Sequence, residues 1–163
     1  MPYLLIILLQ ILCSTGMAAE KPDLLRDERI GSLRIGASEG EVRMATACPM
    51  KRGVENLWGA DGAYHQEWTC AACGLQLGMV SEKRGGPKSI ESITLASPGT
   101  LATQRGIQIG STEQEVKKAY RRDWNREDSK HSGSFVAGSI YGGLIFRFHD
   151  GKVKEIFLGA AAE

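Results

Sequence analysis

The feature that most constrains the fold of this chain is an internal repeat. Residues 33–42 correspond to residues 107–116 at a constant offset of 74, with Ile-Gly, Glu and Glu-Val in the same places. Two later pairs of segments correspond in the same order, at offsets of 69 and 63: 74–79 with 143–148, and 89–95 with 152–158. One such match can arise by chance, but three matches in the same order along the chain are much less probable. The chain therefore predicts two copies of one supersecondary unit, with the longer loops in the first copy.

Each copy carries the signal for a helix start after a short apolar stretch. Ser38 with Glu41, and Thr112 with Glu115, have the spacing of a capping box. In that motif the hydroxyl accepts a hydrogen bond from the backbone N–H three residues later, and the glutamate carboxylate accepts one from the backbone N–H of the cap residue. The pattern predicts two short helices, over residues 39–47 and 113–122. Their buried faces are expected at Val42 and Ala45, and at Val116, Ala119 and Tyr120.

Strand-like runs follow each helix. In the second copy three runs are predicted, over residues 134–141, 144–149 and 152–158. Alternation places Leu144, Phe146 and Phe148 on one face of the middle run, as in a half-buried strand. Asp150-Gly151 predicts a type I′ hairpin turn, because both of its central positions need positive φ.

These elements define the expected fold class and domain organisation. The chain is predicted to be α+β, with two tandem units, each a helix plus a three- or four-stranded antiparallel sheet, forming one compact domain. The boundaries are residues 20–98 for the first unit and 99–163 for the second. With helices on one side, the other sheet face is expected to be open to solvent or to a partner.

Residues 1–19 predict a cleaved signal peptide. Residues 3–12 are apolar apart from Gln10, and mostly small residues follow up to Ala19. The apolar run is about half of what spans a bilayer, so no stable membrane span is expected. The mature protein is predicted to be periplasmic or secreted. Two alternatives stay open: a buried N-terminal element, and lipid attachment at Cys13, although Leu12 precedes it where lipoproteins have a small residue.

Charge and motifs exclude several function classes. The formal net charge is +1, which argues against a nucleic-acid partner. The sequence contains no nucleophile elbow, no His-Glu-x-x-His and no P-loop. We therefore expect a non-enzyme without catalytic residues, cofactor or metal. The alternative is an acid–base site that combines His65 with Asp61 or Glu67.

Three cysteines remain after signal removal: Cys48, Cys70 and Cys73. In an oxidising compartment one pair is expected to form a disulfide, and the sequence leaves the pairing open. A redox-active Cys70-x-x-Cys73 is one alternative, and it would need the first cysteine at a helix N-terminus. A zinc site that adds His65 to the three cysteines is another, although the spacing is irregular.

Candidate partner-binding residues come from side-chain type and strand parity. Tyrosine, tryptophan and arginine dominate interface energetics, although aromatic residues are also common in a core. Ile145 and Arg147 have the parity opposite to the predicted core triplet, which places them on the open face. On these grounds, the residues expected to contact a partner are Tyr64, Trp68, Tyr141, Ile145 and Arg147.

The repeated motifs resemble a superfamily of small exported modules. The motifs are Ile-Gly-Ser/Thr-x-x-Glu-Val, Gly-Leu-x-Phe-x-Phe, Asp-Gly-Lys-Val and Ile-x-Leu, and they extend over residues 33–158. The superfamily includes the β-lactamase inhibitor proteins, which are tandem duplications, and the small lipoproteins of outer-membrane protein assembly, which carry one unit. The resemblance implies a protein that binds another protein, with Gly110, Ser111 and Thr112 and the hairpin tip 83–88 as loops that enter a cleft.

The function expected from this resemblance is inhibition. The chain would block a periplasmic or secreted enzyme, such as a cell-wall hydrolase, as an immunity protein does. The alternative is an envelope assembly or structural factor that binds other envelope proteins. The shared motifs are structural, so they imply the fold more directly than the function.

Overall fold

The computed structural model describes residues 23–46, 49–132 and 134–161. The signal-peptide prediction, Cys13 and Cys48 lie outside these ranges. The elements in chain order are α1 (Leu24–Asp27), α2 (Glu39–Ala45), β1 (Lys51–Leu57), β2 (Tyr64–Cys70), β3 (Leu75–Ser81), β4 (Ser89–Ala96), α3 (Glu113–Ala119), β5 (Trp124–Asn125), α4 (Arg126–Ser132), β6 (Phe135–Ser139), β7 (Gly142–His149) and β8 (Lys152–Gly159). None of the helices in the described ranges has the length and apolar character needed to cross a bilayer.

All the strands join one antiparallel sheet of eight, in the order β1-β2-β3-β4-β8-β7-β6-β5. Each run of four strands is a meander, and the two meanders meet where β4 pairs with β8. The predicted α+β class with an antiparallel sheet is confirmed.

Each half has four strands, which agrees with the predicted three or four, but the three strand-like runs identified in the sequence are one short. The additional strand of the first half is β1, whose residues are nearly all exposed, so it shows no apolar alternation. The additional strand of the second half, β5, has only two residues. The predicted strand 134–141 is also too long, since β6 covers Phe135–Ser139.

One hydrophobic core fills the space between one face of the sheet and the helices α1, α2 and α3. Val42 of α2 and Val116 of α3 are both fully buried in it. The sheet contributes Trp68, Leu77 and Ile93 to this core from the first half, and Leu144 and Phe146 from the second half. Burial of each such side chain stabilises the fold by about 1.5–3 kcal/mol.

Both predicted capping boxes are present. The backbone N–H of Ser38 donates to Glu41 Oε2 at 2.7 Å, and that of Thr112 donates to Glu115 Oε2 at the same distance. The predicted end of the second helix at residue 122 is wrong, because α3 ends at Ala119. Tyr120 leaves helical dihedral angles as its ring enters the core. The first helix ends at Ala45, and residue 47 lies outside the described ranges.

The segment before each of these helices is hydrogen-bonded to the last strand of the same half. The Gly36 N–H donates to Ile90 O at 2.7 Å, and the Ile90 N–H donates to Ala37 O at 2.9 Å. In the second half, the Gly110 N–H donates to Val153 O and the Val153 N–H donates to Ser111 O, both at 2.8 Å.

The turn between β7 and β8 has the predicted conformation. Asp150 and Gly151 have φ of 50° and 70°, so both central residues are in the left-handed region that a type I′ turn requires. Gly151 also accepts a hydrogen bond from the Glu113 N–H at 3.1 Å, which places this turn beside the start of α3.

A buried polar cluster connects the N-terminal segment to the second half. Glu28 is only 2% exposed, and its carboxylate accepts from the Tyr120 hydroxyl at 2.9 Å. It also accepts from the backbone N–H groups of Arg29 and Gln104, at 3.0 and 2.8 Å. Burial, with a smaller effect of the nearby Glu28 charge, raises the pKa of Tyr120 far above its ordinary value. The tyrosine is therefore a donor to the carboxylate at all relevant pH.

Candidate functional site

The sheet face opposite the helices is accessible in the first half of the molecule. Its residues on β2, β3 and β4 are exposed or half-buried, with His65 the exception: Glu67, Thr69, Gln76, Gly78, Val80, Ser92 and Thr94. In the second half, Val136 and Ile145 have the corresponding parity and are 0% and 4% exposed. The accessible part of this face therefore lies over β2–β4.

A pocket of about 460 Å³ occupies this accessible face. Its lining residues come from β1 to β4 and from the β1–β2 turn: Gly53, Val54, Asn56, Trp58, His65, Gln66, Glu67, Gln76, Gly78, Glu91, Ser92 and Thr94. Val54 and Trp58 supply an apolar wall and are 77% and 41% exposed. Gly78 forms the floor of the pocket and adds to its depth because it has no side chain. A Cβ at this position would clash with the Ser92 hydroxyl. We refer to these residues as the Gly78 pocket.

His65 braces one wall of the Gly78 pocket. Its Nδ1 lies 2.8 Å from Glu91 Oε1, and its Nε2 lies 2.9 Å from Asp61 Oδ2. Trp58 stacks on the imidazole with ring centroids 3.9 Å apart and planes within 17°. These contacts tie the β1–β2 turn, which carries Trp58 and Asp61, to β2 and β4.

The carboxylates favour the charged form of His65. Burial of the ring opposes the charge, but the hydrogen bonds and charges of Glu91 and Asp61 together raise the pKa of His65 above its ordinary value. The pKa of Asp61 is lowered, first by the hydrogen bond from the Ala63 N–H and further by His65. Both carboxylates therefore stabilise the protonated form of the imidazole that lies between them.

This geometry suits a brace better than a general base. Both ring nitrogens of His65 already have a carboxylate partner, so neither is directed at a substrate position in the pocket. Of the two acids considered from the sequence, Asp61 contacts His65. Glu67 instead accepts a hydrogen bond from Gln76 Nε2 at 2.6 Å.

The hairpin tip between β3 and β4 is held against β1. Lys88 Nζ lies 2.6 Å from Glu55 Oε1, and the two side chains are only 6% and 15% exposed. The Gly85 N–H donates to the other Glu55 oxygen at 2.9 Å. The lysine, with the Gly85 N–H, lowers the pKa of Glu55. The tip predicted to enter a partner's cleft is thus an ordered part of the wall beside β1.

Two of the predicted contact residues are not accessible. The prediction for Trp68 is wrong because the indole is 1% exposed under α2, with Arg52 4.1 Å from its ring centre. The exposure predicted for Ile145 is also wrong, because the side chain is only 4% exposed, and the residues paired with it on the neighbouring strands, Val136 and Phe157, are also apolar.

The other predicted contact residues lie at or near the surface. Tyr141 is 67% exposed at the β6–β7 turn. Arg147 is exposed and pairs with Glu155 across β7 and β8. Tyr64 is half-buried at the start of β2. Gly110, Ser111 and Thr112 directly precede α3, with Thr112 as its N-cap, and the backbone of Gly110 and Ser111 is hydrogen-bonded to β8, so this segment is fixed to the sheet and is not a projecting loop.

Cys70 and Cys73 are not joined by a disulfide in the structure. Cys70 caps a one-turn 3₁₀ helix, Ala71–Cys73, and its sulfur accepts from the Cys73 N–H at 3.2 Å. The described residues contain no disulfide, and Cys48 is outside them, so the disulfide stays a prediction. Within the same residues no group of three His, Cys, Asp or Glu side chains is placed to hold a metal ion.

Part of this site was visible in the sequence. His65 and Asp61 lie four residues apart in the chain, and the sequence identified them together as a candidate acid–base pair. Glu91 was missed because it is 26 residues from His65 along the chain. The local sequence signal for it is the three-residue spacing of Ile90 and Ile93, which breaks the alternation of a regular strand. In the structure a bulge between β3 and β4 places both isoleucines in the core and leaves Glu91 beside the pocket.

Comparison with known proteins adds no assignment. No protein-family model, curated protein or solved structure matches the chain. The resemblance to the β-lactamase inhibitor proteins and the assembly lipoproteins therefore stays a prediction.

Proposed function

We propose that this chain is an exported, non-catalytic protein-binding module, and specifically an inhibitor or immunity protein that blocks a periplasmic or secreted enzyme such as a cell-wall hydrolase. The observation that carries the proposal is the accessible sheet face with the Gly78 pocket. One side of this sheet is fixed by the helices and the core, so the other side is a rigid surface. Rigid surfaces lose little conformational entropy on binding.

Exposed apolar residues support binding at this edge of the sheet. Among the described residues, Val54, Leu57 and Trp58 are exposed by 77%, 57% and 41% within five positions of the chain. A cluster of exposed large hydrophobic residues is typical of interaction sites, and tryptophan is enriched among residues that dominate binding. The bracing of His65 by two carboxylates favours a structural role over catalysis at the same place.

We infer that the two halves arose as tandem copies, residues 20–98 and 99–163. Three kinds of matched feature support this: both helices begin with a capping box, both preceding segments bond to the last strand of their half, and both final hairpins carry a bulge. The bulges lie between Gly78 and Met79 in β3 and between Arg147 and Phe148 in β7. These pairs are related by the offset of 69 found in the sequence.

Export rests on the signal-peptide pattern of residues 1–19. Mass spectrometry of the protein from a cell fractionation tests it. Export predicts a periplasmic or secreted form whose first residue is Ala19 or Glu20. A full-length form confined to the cytoplasm would contradict it.

Affinity capture tests the binding function. The mature chain, residues 20–163, is immobilised and exposed to envelope and secreted fractions, and retained proteins are identified by mass spectrometry. Inhibition predicts capture of an enzyme whose activity falls when the mature chain is added. Capture of an envelope assembly component without loss of an activity would favour the assembly role. No protein captured above the level of a Trp58→Ala variant would contradict binding through this face.

A further inference from the structure

We propose that the Gly78 pocket receives a single lysine or arginine side chain projected by the protein partner. This inference rests on the proposed protein-binding function and assigns the chemistry of the partner at that site.

The charge of the pocket differs from that of the whole molecule. The chain has 20 Lys and Arg and 19 Asp and Glu, so its overall charge is nearly balanced. The pocket lining includes Glu67 and Glu91, with Asp61 behind His65, but no Lys or Arg from the described chain. Two carboxylates therefore line the pocket and a third lies behind His65, against one histidine that can carry at most a single positive charge. This excess of negative charge is complementary to a basic side chain and repels an acidic one.

The carboxylates retain hydrogen-bonding capacity. The described hydrogen bonds use Oε2 of Glu67, which accepts from Gln76, and Oε1 of Glu91, which contacts His65. Within the described residues, the second oxygen of each carboxylate has no hydrogen bond. Glu67 lies on β2 and Glu91 on β4, on opposite sides of Gly78. An ammonium or guanidinium above Gly78 can thus donate to both sides.

The apolar wall fits the rest of such a side chain. Trp58 stacks one ring face on His65 and is 41% exposed. An indole face attracts a cation, and the methylene stem of Lys or Arg packs on apolar surface such as Val54. One basic side chain therefore matches all three features of the pocket: its acidic rim, its aromatic wall and its low floor.

A short peptide tests this directly. The mature protein is labelled with ¹⁵N and titrated with acetyl-Gly-Arg-Gly-amide, and separately with the same peptide containing citrulline, a neutral isostere of arginine. The arginine peptide is expected to shift the Gly78 amide and the Trp58 indole N–H with a saturable curve. Glu67→Gln is expected to weaken binding about fivefold, and Trp58→Ala about threefold.

The controls separate this proposal from general charge attraction. Asp150→Asn removes a carboxylate from the exposed β7–β8 turn, across the sheet, and is expected to leave the titration unchanged. Equal binding of the citrulline and arginine peptides would overturn the proposal, as would shifts confined to residues outside the pocket. A glycan probe, chitotriose, that shifts the same signals while the arginine peptide does not would assign the pocket to carbohydrate instead.

The outcome is distinguishable from the outcome for the proposed function. If affinity capture retains a partner equally with wild type and with Glu67→Gln, the protein binds but this pocket does not receive a basic side chain. If the arginine peptide saturates the pocket while no protein is captured, the site stands and the protein-binding function fails.

Discussion

Replacing Tyr120 with phenylalanine should destabilise the protein by about 2 kcal/mol. The Tyr120 ring is fully buried beside Phe146, with ring centroids 5.1 Å apart, and phenylalanine keeps that packing. The substitution removes only the hydroxyl that donates to Glu28 at 2.9 Å. A hydrogen bond to a charged group contributes about 1.5–3 kcal/mol, and its loss removes a donor from a buried carboxylate.

Urea unfolding monitored by tryptophan fluorescence measures this effect. With a slope of about 2 kcal/mol per molar urea, the midpoint should fall by about 1 M. Tyr141→Phe is the matched control because Tyr141 is 67% exposed, so its midpoint should not move. Trp68 and Trp124 report on the two halves. Both should show one shared transition, since the Glu28–Tyr120 contact joins the N-terminal segment to the second half.

Two results would refute this reasoning. Equal midpoints for Tyr120→Phe and Tyr141→Phe would mean that the buried hydroxyl contributes nothing. Alternatively, if the effects of Tyr120→Phe and Glu28→Gln simply add in the double variant, the two side chains are not coupled. The contact predicts a double-variant effect smaller than the sum by about 1 kcal/mol or more.

The remaining predictions concern the helix caps and the histidine brace. Ser38→Ala and Thr112→Ala should each lower the free energy of unfolding by about 1 kcal/mol, whereas Ser38→Thr and Thr112→Ser should change it by a few tenths, as measured by urea unfolding. Unequal alanine losses, with one near zero, would show that the caps are not equivalent. For His65, burial lowers the pKa but Glu91 and Asp61 raise it above the unfolded value of 6.5. The stabilisation is therefore complete below pH 6.5 and is lost as the pH rises through the folded pKa. Wild type should lose stability relative to His65→Gln over that range, and parallel pH profiles for the two proteins would contradict the brace.

The sequence predicted those parts of the fold that depend on short-range patterns. The capping boxes at Ser38 and Thr112 and the Asp150-Gly151 turn need only residues that are near one another in the chain, and all three formed as expected. The end of α3 was predicted wrongly because it is decided by a distant contact. Tyr120 leaves the helix as its ring enters the core and its hydroxyl reaches Glu28, 92 residues away.

The site was less predictable because accessibility is a property of the assembled sheet. Strand parity correctly separated Ile145 from Phe146, but parity does not say whether a face is accessible. Ile145 proved to be buried, and the accessible face lies in the other half. The sequence alone is compatible with Trp68 in the core or at an interface. In the structure it belongs to the core cluster that also contains Val42 of α2.

Site-specific photocrosslinking tests the central claim most directly. A benzophenone amino acid is placed at Val54, on the wall of the Gly78 pocket, or at Met44, which is 90% exposed on α2. Each variant is expressed in cells and irradiated. The account predicts a defined covalent adduct with a periplasmic or secreted protein at Val54 and none at Met44. An adduct at Met44 with none at Val54 would place the binding surface on the helical side and contradict the account.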